Sequence, residues 1–310
     1  LSNANDNQPL ANVQATASTV GDLDGDGAAE VIVYDVSGPY INFAREGLPD
    51  IRAIPAPDNV TAVECLDLNG DGYDDLAMIS SSPRQINVWY GNRDILSPSS
   101  PFYSATLNYS MSTGMSMTAG DLDGDRDLDL AIGGDGSLDI FWNSGTAVPF
   151  SQGQRFTLTL SEASVTSMTC IRVQGSSHND SLVDLALVNA SASRIEIYFQ
   201  QQGAPKFVSH DRLLLNPMAG IAGLKASDLS GDGREDLLTS TPHALHLYVQ
   251  DPNYTKGFLD AQPIKNIAVP EKVRSFSIGD LDDNGGPDIA LVTTNSTIEA
   301  YKRNEGGFIL

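Results

Sequence analysis

Leu66-Asp67-Leu68-Asn69-Gly70-Asp71-Gly72-Tyr73-Asp74-Asp75-Leu76-Ala77-Met78 is the stretch on which the reading turns. Oxygen-bearing side chains stand at alternate positions, two glycines permit a tight turn among them, and an apolar run opens at Asp75. This predicts two short strands joined by an acidic turn. The same unit returns at residues 21–33, 120–131, 227–238 and 279–291. A worn copy, Asp184-Leu185-Ala186-Leu187, has no acidic turn ahead of it.

The acidic residues that open the apolar runs are Glu30, Asp75, Asp129, Asp184, Asp236 and Asp288, at steps of 45, 54, 55, 52 and 52. Six units of about 52 residues therefore account for all 310 residues. In the second unit, residues 61–66 and 75–79 read as strands, 80–84 as a turn, 86–90 as an alternating strand and 102–107 as a fourth. The third strand recurs at 138–142, 195–199, 245–248 and 298–301, and no helical period competes with it. Four-stranded units repeated at this spacing predict an all-β chain folded as a single β-propeller over 1–310. Six blades are expected, with seven as the alternative. The last unit has only three residues from Phe308 for its fourth strand, so the expectation is that residues 1–10 pair nearby or that the chain is truncated.

The GDLDGDG-type turn, the alternating strand and the step Asn304-Glu305-Gly306-Gly307-Phe308 together resemble the FG-GAP or VCBS repeat family. Integrin α-subunit propellers and several secreted microbial proteins belong to it. Integrin propellers have seven blades, a departure from the six units here. The resemblance implies binding or adhesion outside the cell, with the ligand on the face away from the acidic turns.

Oxygen ligands at alternate positions of a tight loop suit Ca²⁺, a hard cation that takes six to eight of them. Taken by loop, the expected ligands are Asp22, Asp24, Asp26, Ala28 and Glu30 (22–30); Asp67, Asn69, Asp71, Tyr73 and Asp75 (67–75); and Asp121, Asp123, Asp125, Asp127 and Asp129 (121–129). Asp228, Ser230, Asp232, Arg234 and Asp236 (228–236) form the next set, and Asp280, Asp282, Asn284, Gly286 and Asp288 (280–288) the last. About five ions follow, one per loop. An EF-hand needs Glu at loop position 12, where Val33, Met78, Ile132, Thr239 and Leu291 stand instead. Arg126 at a turn-glycine position and Ser230 at an acidic one weaken their loops, and the degenerate unit (176–184) offers only Ser176, His178 and Asp180. Calcium in such loops is expected to staple the first strand of a unit to its second.

Eighteen basic against 40 acidic residues leave a formal charge of -22, which disfavours nucleic acid and anionic membrane as partners. No apolar run reaches the ~18 residues a membrane-spanning helix requires. Extracellular placement, secreted or on a cell surface, is expected because millimolar calcium fills such sites there. Sequons at Asn59, Asn108, Asn179, Asn189, Asn253 and Asn295 are candidate glycosylation sites. Cys65 and Cys170 lie on first strands of separate units and are expected to be free thiols. Trp89, Trp142, Tyr90, Tyr198, Tyr248 and Tyr301 keep strand periodicity, which favours packing over a lectin-like sugar platform.

His178, His210, His243 and His246 form no metal spacing, and no nucleophile or phosphate-loop motif is present. The function expected is a calcium-stabilised, monomeric binding or adhesion module for a protein or glycan. A polysaccharide lyase or hydrolase and a structural spacer are the alternatives. Ligand contacts are expected from Tyr40, Arg84, Tyr109, Arg194, Met218, His243 and Lys272, a mixture of aromatic, basic and apolar groups.

Overall fold

The computed structural model describes residues 15–309 apart from 28–29, 36–39, 45–51, 94–103, 113, 147–148, 151–153, 175–181, 204–205, 210–211, 216–217, 254–256, 259–264, 281–284, 295–297 and 305–306. The described residues form strands and turns with no helix. Two compact units divide the chain: residues 1–117, 127–132 and 139–157 form the first, and 118–126, 133–138 and 158–310 the second.

In the first unit, β1 (Ala15–Gly21), β2 (Glu30–Asp35), β3 (Tyr40–Ala44) and β4 (Arg52–Pro55) form one antiparallel sheet in chain order. A second meander follows, with β5 (Val60–Leu66), β6 (Asp75–Ser81), β7 (Arg84–Trp89) and β8 (Ser104–Asn108). The alternating pattern put apolar side chains on facing surfaces, and Leu23, Ile32, Tyr34, Ile41, Val63, Leu76, Met78 and Trp89 make one core.

The middle sheet has six strands: β9 (Gly114–Gly120), β10 (Asp129–Phe141), β11 (Arg155–Ile171), β12 (Asp184–Asn189), β13 (Arg194–Tyr198) and β14 (Arg212–Leu214). This departs from the expectation of four strands per repeat. The 13-residue β10 contains both the second-strand run after Asp129 and the third-strand run from Leu138, with Gly136 at φ 75° between them. The 17-residue β11 likewise takes in the end of one repeat and the start of the next.

Two four-stranded meanders complete the second unit. They are β15 (Ala222–Ser227), β16 (Asp236–Thr241), β17 (Ala244–Tyr248) and β18 (Lys265–Ala268), then β19 (Val273–Gly279), β20 (Asp288–Thr293), β21 (Ile298–Asn304) and β22 (Gly307–Ile309). Leu224, Leu237 and Tyr248 cluster with Ile197 of β13 and the adjacent Phe199, and Leu238, Leu245, Ile289, Leu291 and Tyr301 form another cluster.

The repeat extends to register. Gly21, Leu66, Ile171, Ser227 and Gly279 each end a first strand opposite the acid that opens the second. Each of these five pairs also carries an irregularity a few residues earlier, between Val60 and Ala62 in β5 and between Ala222 and Leu224 in β15, for example. A bulge at one fixed position strengthens the local twist. The expected pairing of residues 1–10 falls outside the described residues.

Candidate functional site

The acid that opens each second strand is buried in all six repeats. Asp75 Oδ2 accepts the Leu68 amide at 2.9 Å, and its Oδ1 accepts the Gly91 amide at 2.7 Å. Asp236 does the same with Ser230 at 2.7 Å and Gln250 at 3.0 Å, and Asp184 with Val173 at 3.0 Å and Gln200 at 2.9 Å. One carboxylate thus ties the turn after strand one to the end of strand three. Burial pushes Asp75 up to about 7 and Asp236 up to about 6, against the lowering effect of those amides. Asp184 performs this task in the repeat that has no acidic turn, so the tie does not depend on one.

The first acid of each turn organises the loop. Asp67 Oδ1 accepts Gly70 and Asp71 amides at 2.8 and 3.1 Å, and its Oδ2 accepts Gly72 at 2.9 Å. Asp22 receives Asp26 and Gly27, Asp121 receives Gly124, Asp228 receives Gly231, Asp232 and Gly233, and Asp280 receives Gly285. Position six of these turns lies in the left-handed region, as at Gly72 with φ 89°; Arg126 occupies it with φ 83°. Only glycine adopts that conformation without steric cost.

Loop one gathers carboxylate oxygens of Asp22, Asp24 and Glu30 within 4.8 Å of one another, a donor set that fits Ca²⁺. Asp26 lies exposed beside them, and its amide is held by Asp22 and Asp24. In loop two, Asn69 Nδ2 donates to Asp71 Oδ2 at 3.0 Å, and the amide of Tyr73 donates to Asp71 Oδ1 at 3.0 Å. In loop three, Asp123 Oδ1 accepts the Asp125 amide and the ammonium of Lys206 donates to the Asp123 carbonyl oxygen. Burial and the neighbouring Asp125 charge raise the Asp123 pKa. Asp127 is half-buried, with its carboxylate against Gly145, and Asp129 accepts the Asn143 amide at 2.7 Å.

Loop five, the turn of the fifth unit at residues 228–236, differs from loop one. Arg234 Nη2 lies 2.6 Å from Asp232 Oδ2, so a guanidinium already holds a carboxylate expected to bind metal. In the last loop, Asp288 accepts the Arg303 amide at 2.7 Å and Gly286 is half-buried. Ala28, Asp282, Asn284 and the degenerate set at Ser176, His178 and Asp180 lie outside the described residues.

A group of residues not anticipated from sequence links one repeat to the next. Asn143 Nδ2 donates to the Leu68 carbonyl at 2.7 Å, Gln250 Nε2 to that of Arg172 at 2.8 Å, and Arg303 Nη2 to that of Ser230 at 2.8 Å. Asp74 and Glu235 reach back the same way, accepting the amides of Asp22 at 2.8 Å and Arg172 at 2.6 Å. Their spacing was the available signal: Asn143, Gln250 and Arg303 each follow a buried acid by 14 or 15 residues.

The expected ligand contacts are dispersed in character. Tyr109 is a correction, being buried with its hydroxyl donating to Ser80 O at 2.9 Å. Arg194 Nε is held by Glu196 at 3.1 Å and Met218 packs against a core cluster. Arg84 is exposed and donates to Met111 O at 3.2 Å, while His243 and Lys272 are exposed. Tyr40 opens β3 opposite Pro55. Among the sequons, Asn189 is also corrected: it is buried, and Nδ2 donates to Glu196 at 3.0 Å, so no glycan fits there. Asn59, Asn108 and Asn253 are exposed, and Asn179 and Asn295 lie outside the described residues.

A family model described as an FG-GAP-like repeat matches residues 67–132 and 228–291. The match covers less than half of the 310 residues. The matched segments hold loops two, three, five and the last, and loop one lies outside them. Crystal structures of BBS1N in complex with ARL6DN, soaked with lead or with mercury, are similar in fold, with TM-scores of 0.63 and 0.58 at 15% and 14% identity. They cover 97% and 95% of this chain and 83% and 79% of theirs. These neighbours are β-propellers, the fold expected of FG-GAP-like repeats. No curated protein sequence matches the chain.

Proposed function

We propose that the chain is a protein-binding β-propeller of six four-stranded blades whose acidic turns are braced by Ca²⁺, displayed on a cell surface or secreted. The observation that carries the calcium reading is the approach of Asp22, Asp24 and Glu30 carboxylates to within 4.8 Å in one turn. Such crowding of like charge is costly without a cation, and an oxygen set of this kind prefers Ca²⁺ to the smaller Mg²⁺. Asp22, Asp24, Asp26 and Glu30 would hold the ion in loop one, and Asp67, Asn69, Asp71 and Asp75 in loop two. The ion would tie the two strands and leave the rest of the surface for recognition.

Protein binding is supported by the fold neighbours, whose BBS1N propeller is in complex with ARL6DN. The exposed His243 and Lys272 supply polar contacts on connections away from the acidic turns. The test is a screen of the immobilised chain against a library of extracellular protein domains and a glycan array, each in Ca²⁺ and in EGTA. Saturable binding of a protein domain, weakened by His243→Ala and Lys272→Ala, is expected. Binding confined to glycans, or no binding by the folded chain, would contradict the reading.

A further inference from the structure

Loops one and two contain no basic residue between their first acid and their ninth. Loop five contains Arg234, which is bound twice to Asp232: its amide donates to Oδ1 at 2.9 Å and its Nη2 to Oδ2 at 2.6 Å. A second guanidinium lies on the same turn. Arg303 Nη2 donates to Ser230 O at 2.8 Å, and a methyl group placed on Gly231 would come within 1.8 Å of that nitrogen, so Arg303 lies close against the loop. At the corresponding position the earlier repeats use neutral amides, Asn143 and Gln250.

We propose that Arg234 and Arg303 take the place of a divalent cation at loop five. Arg234 pairs with Asp232, and Arg303 brings a second guanidinium to the Ser230 carbonyl of the same turn. Asp228 and Asp236 accept the same kind of backbone amides as Asp67 and Asp75 do in loop two, so what sets loop five apart is its two arginines and Ser230. Ser230 replaces the acid or amide that loops one and two carry at the third position. A guanidinium supplies directed donors and a permanent charge, so a loop that holds one closes at any calcium concentration. The inference rests on the calcium reading of loops one and two, and it divides the turns into metal-dependent and self-neutralised classes.

Native mass spectrometry in Ca²⁺ and melting in EGTA test it together. Asp24→Asn should remove one bound ion, and Asp232→Asn none. The double variant Arg234→Tyr/Arg303→Gln copies loop two and Gln250; it should gain one ion and, in EGTA, melt about 2 °C or more below the parent. Loss of an ion in Asp232→Asn, or a double variant that gains no ion and melts as the parent does in EGTA, overturns the proposal. If the parent binds no ion at all, the calcium reading fails separately, and the EGTA melt alone decides whether the two arginines neutralise the loop: a lower melting temperature upholds that, and an unchanged one ends it.

Discussion

Asp184 Oδ2 accepts the backbone amide of Val173 at 3.0 Å, in the one repeat whose turn has lost its acidic pattern. The other oxygen of Asp184 takes the Gln200 amide at 2.9 Å. The acid at the ninth position of the motif therefore has a structural task that precedes any metal: it accepts two buried amides. Where the rest of the pattern is present, as around Glu30, the same carboxylate also faces the other acids of the loop.

Replacing Asp184 by Ala leaves both amides without an acceptor. Each unsatisfied buried donor costs ~1–3 kcal/mol, so a loss of about 2–5 kcal/mol is expected in urea unfolding. Asp184→Asn keeps one acceptor oxygen and should lose less. The difference from the parent should be equal in Ca²⁺ and EGTA; a calcium-dependent difference would mean that Asp184 serves a metal after all.

Arg126 adopts φ 83° at a position where the other turns place glycine. The left-handed conformation costs a residue with a Cβ about 1 kcal/mol. Arg126→Gly should therefore raise the melting temperature by a few degrees despite the greater freedom of glycine in the unfolded chain. A lower melting temperature would show that the Arg126 side chain contributes more than its backbone costs.

Gly21 lies against Cys65, and a Cβ at Gly21 would stand 2.2 Å from Cys65 Sγ and 2.8 Å from Asp74 Oδ2. Both cysteines are free thiols, and Cys170 packs in the same way against Gly120. Gly21→Ala should destabilise by about 1–3 kcal/mol through overpacking, and Cys65→Ala in that background should recover part of the loss. Equal stability of Gly21→Ala and the parent in chemical denaturation would refute this packing.

Glu196 is buried beside Tyr198, Asn189, Arg194 and Arg212. Burial alone would raise its pKa, but the hydrogen bonds from Tyr198, Asn189 and Arg194 and the Arg212 charge outweigh it and hold the carboxyl below its ordinary 4.5. A depressed folded-state pKa gives stability that is present above the unfolded value and is lost as pH falls through the folded one. The melting-temperature gap between the parent and Glu196→Gln should be constant near neutrality and shrink below about pH 4.5. A gap that widens on acidification would reverse the assignment.

Much of this was legible in advance. The period of the acids located the repeats, and the alternation around Ile86 and Val88 located a third strand, because both follow from which side chains face water. The double role of Glu30 and Asp75 was not, since a carboxylate at that position serves equally as ligand or as acceptor for amides. Asn143, Gln250 and Arg303 escaped notice because their partners lie 73–78 residues away and depend on how one repeat packs on another. Tyr109 reads as a surface aromatic after a strand, and only the position of Ser80 O shows where its hydroxyl goes.

The central claim is that a divalent cation braces the acidic turns, and thermal melting of the intact chain in EGTA, Mg²⁺ and Ca²⁺ tests it most directly. A ligand that binds only the native state raises stability by mass action. The melting temperature should fall in EGTA, recover fully with millimolar Ca²⁺ and recover less with Mg²⁺. Superimposable melting curves in all three conditions would contradict the account.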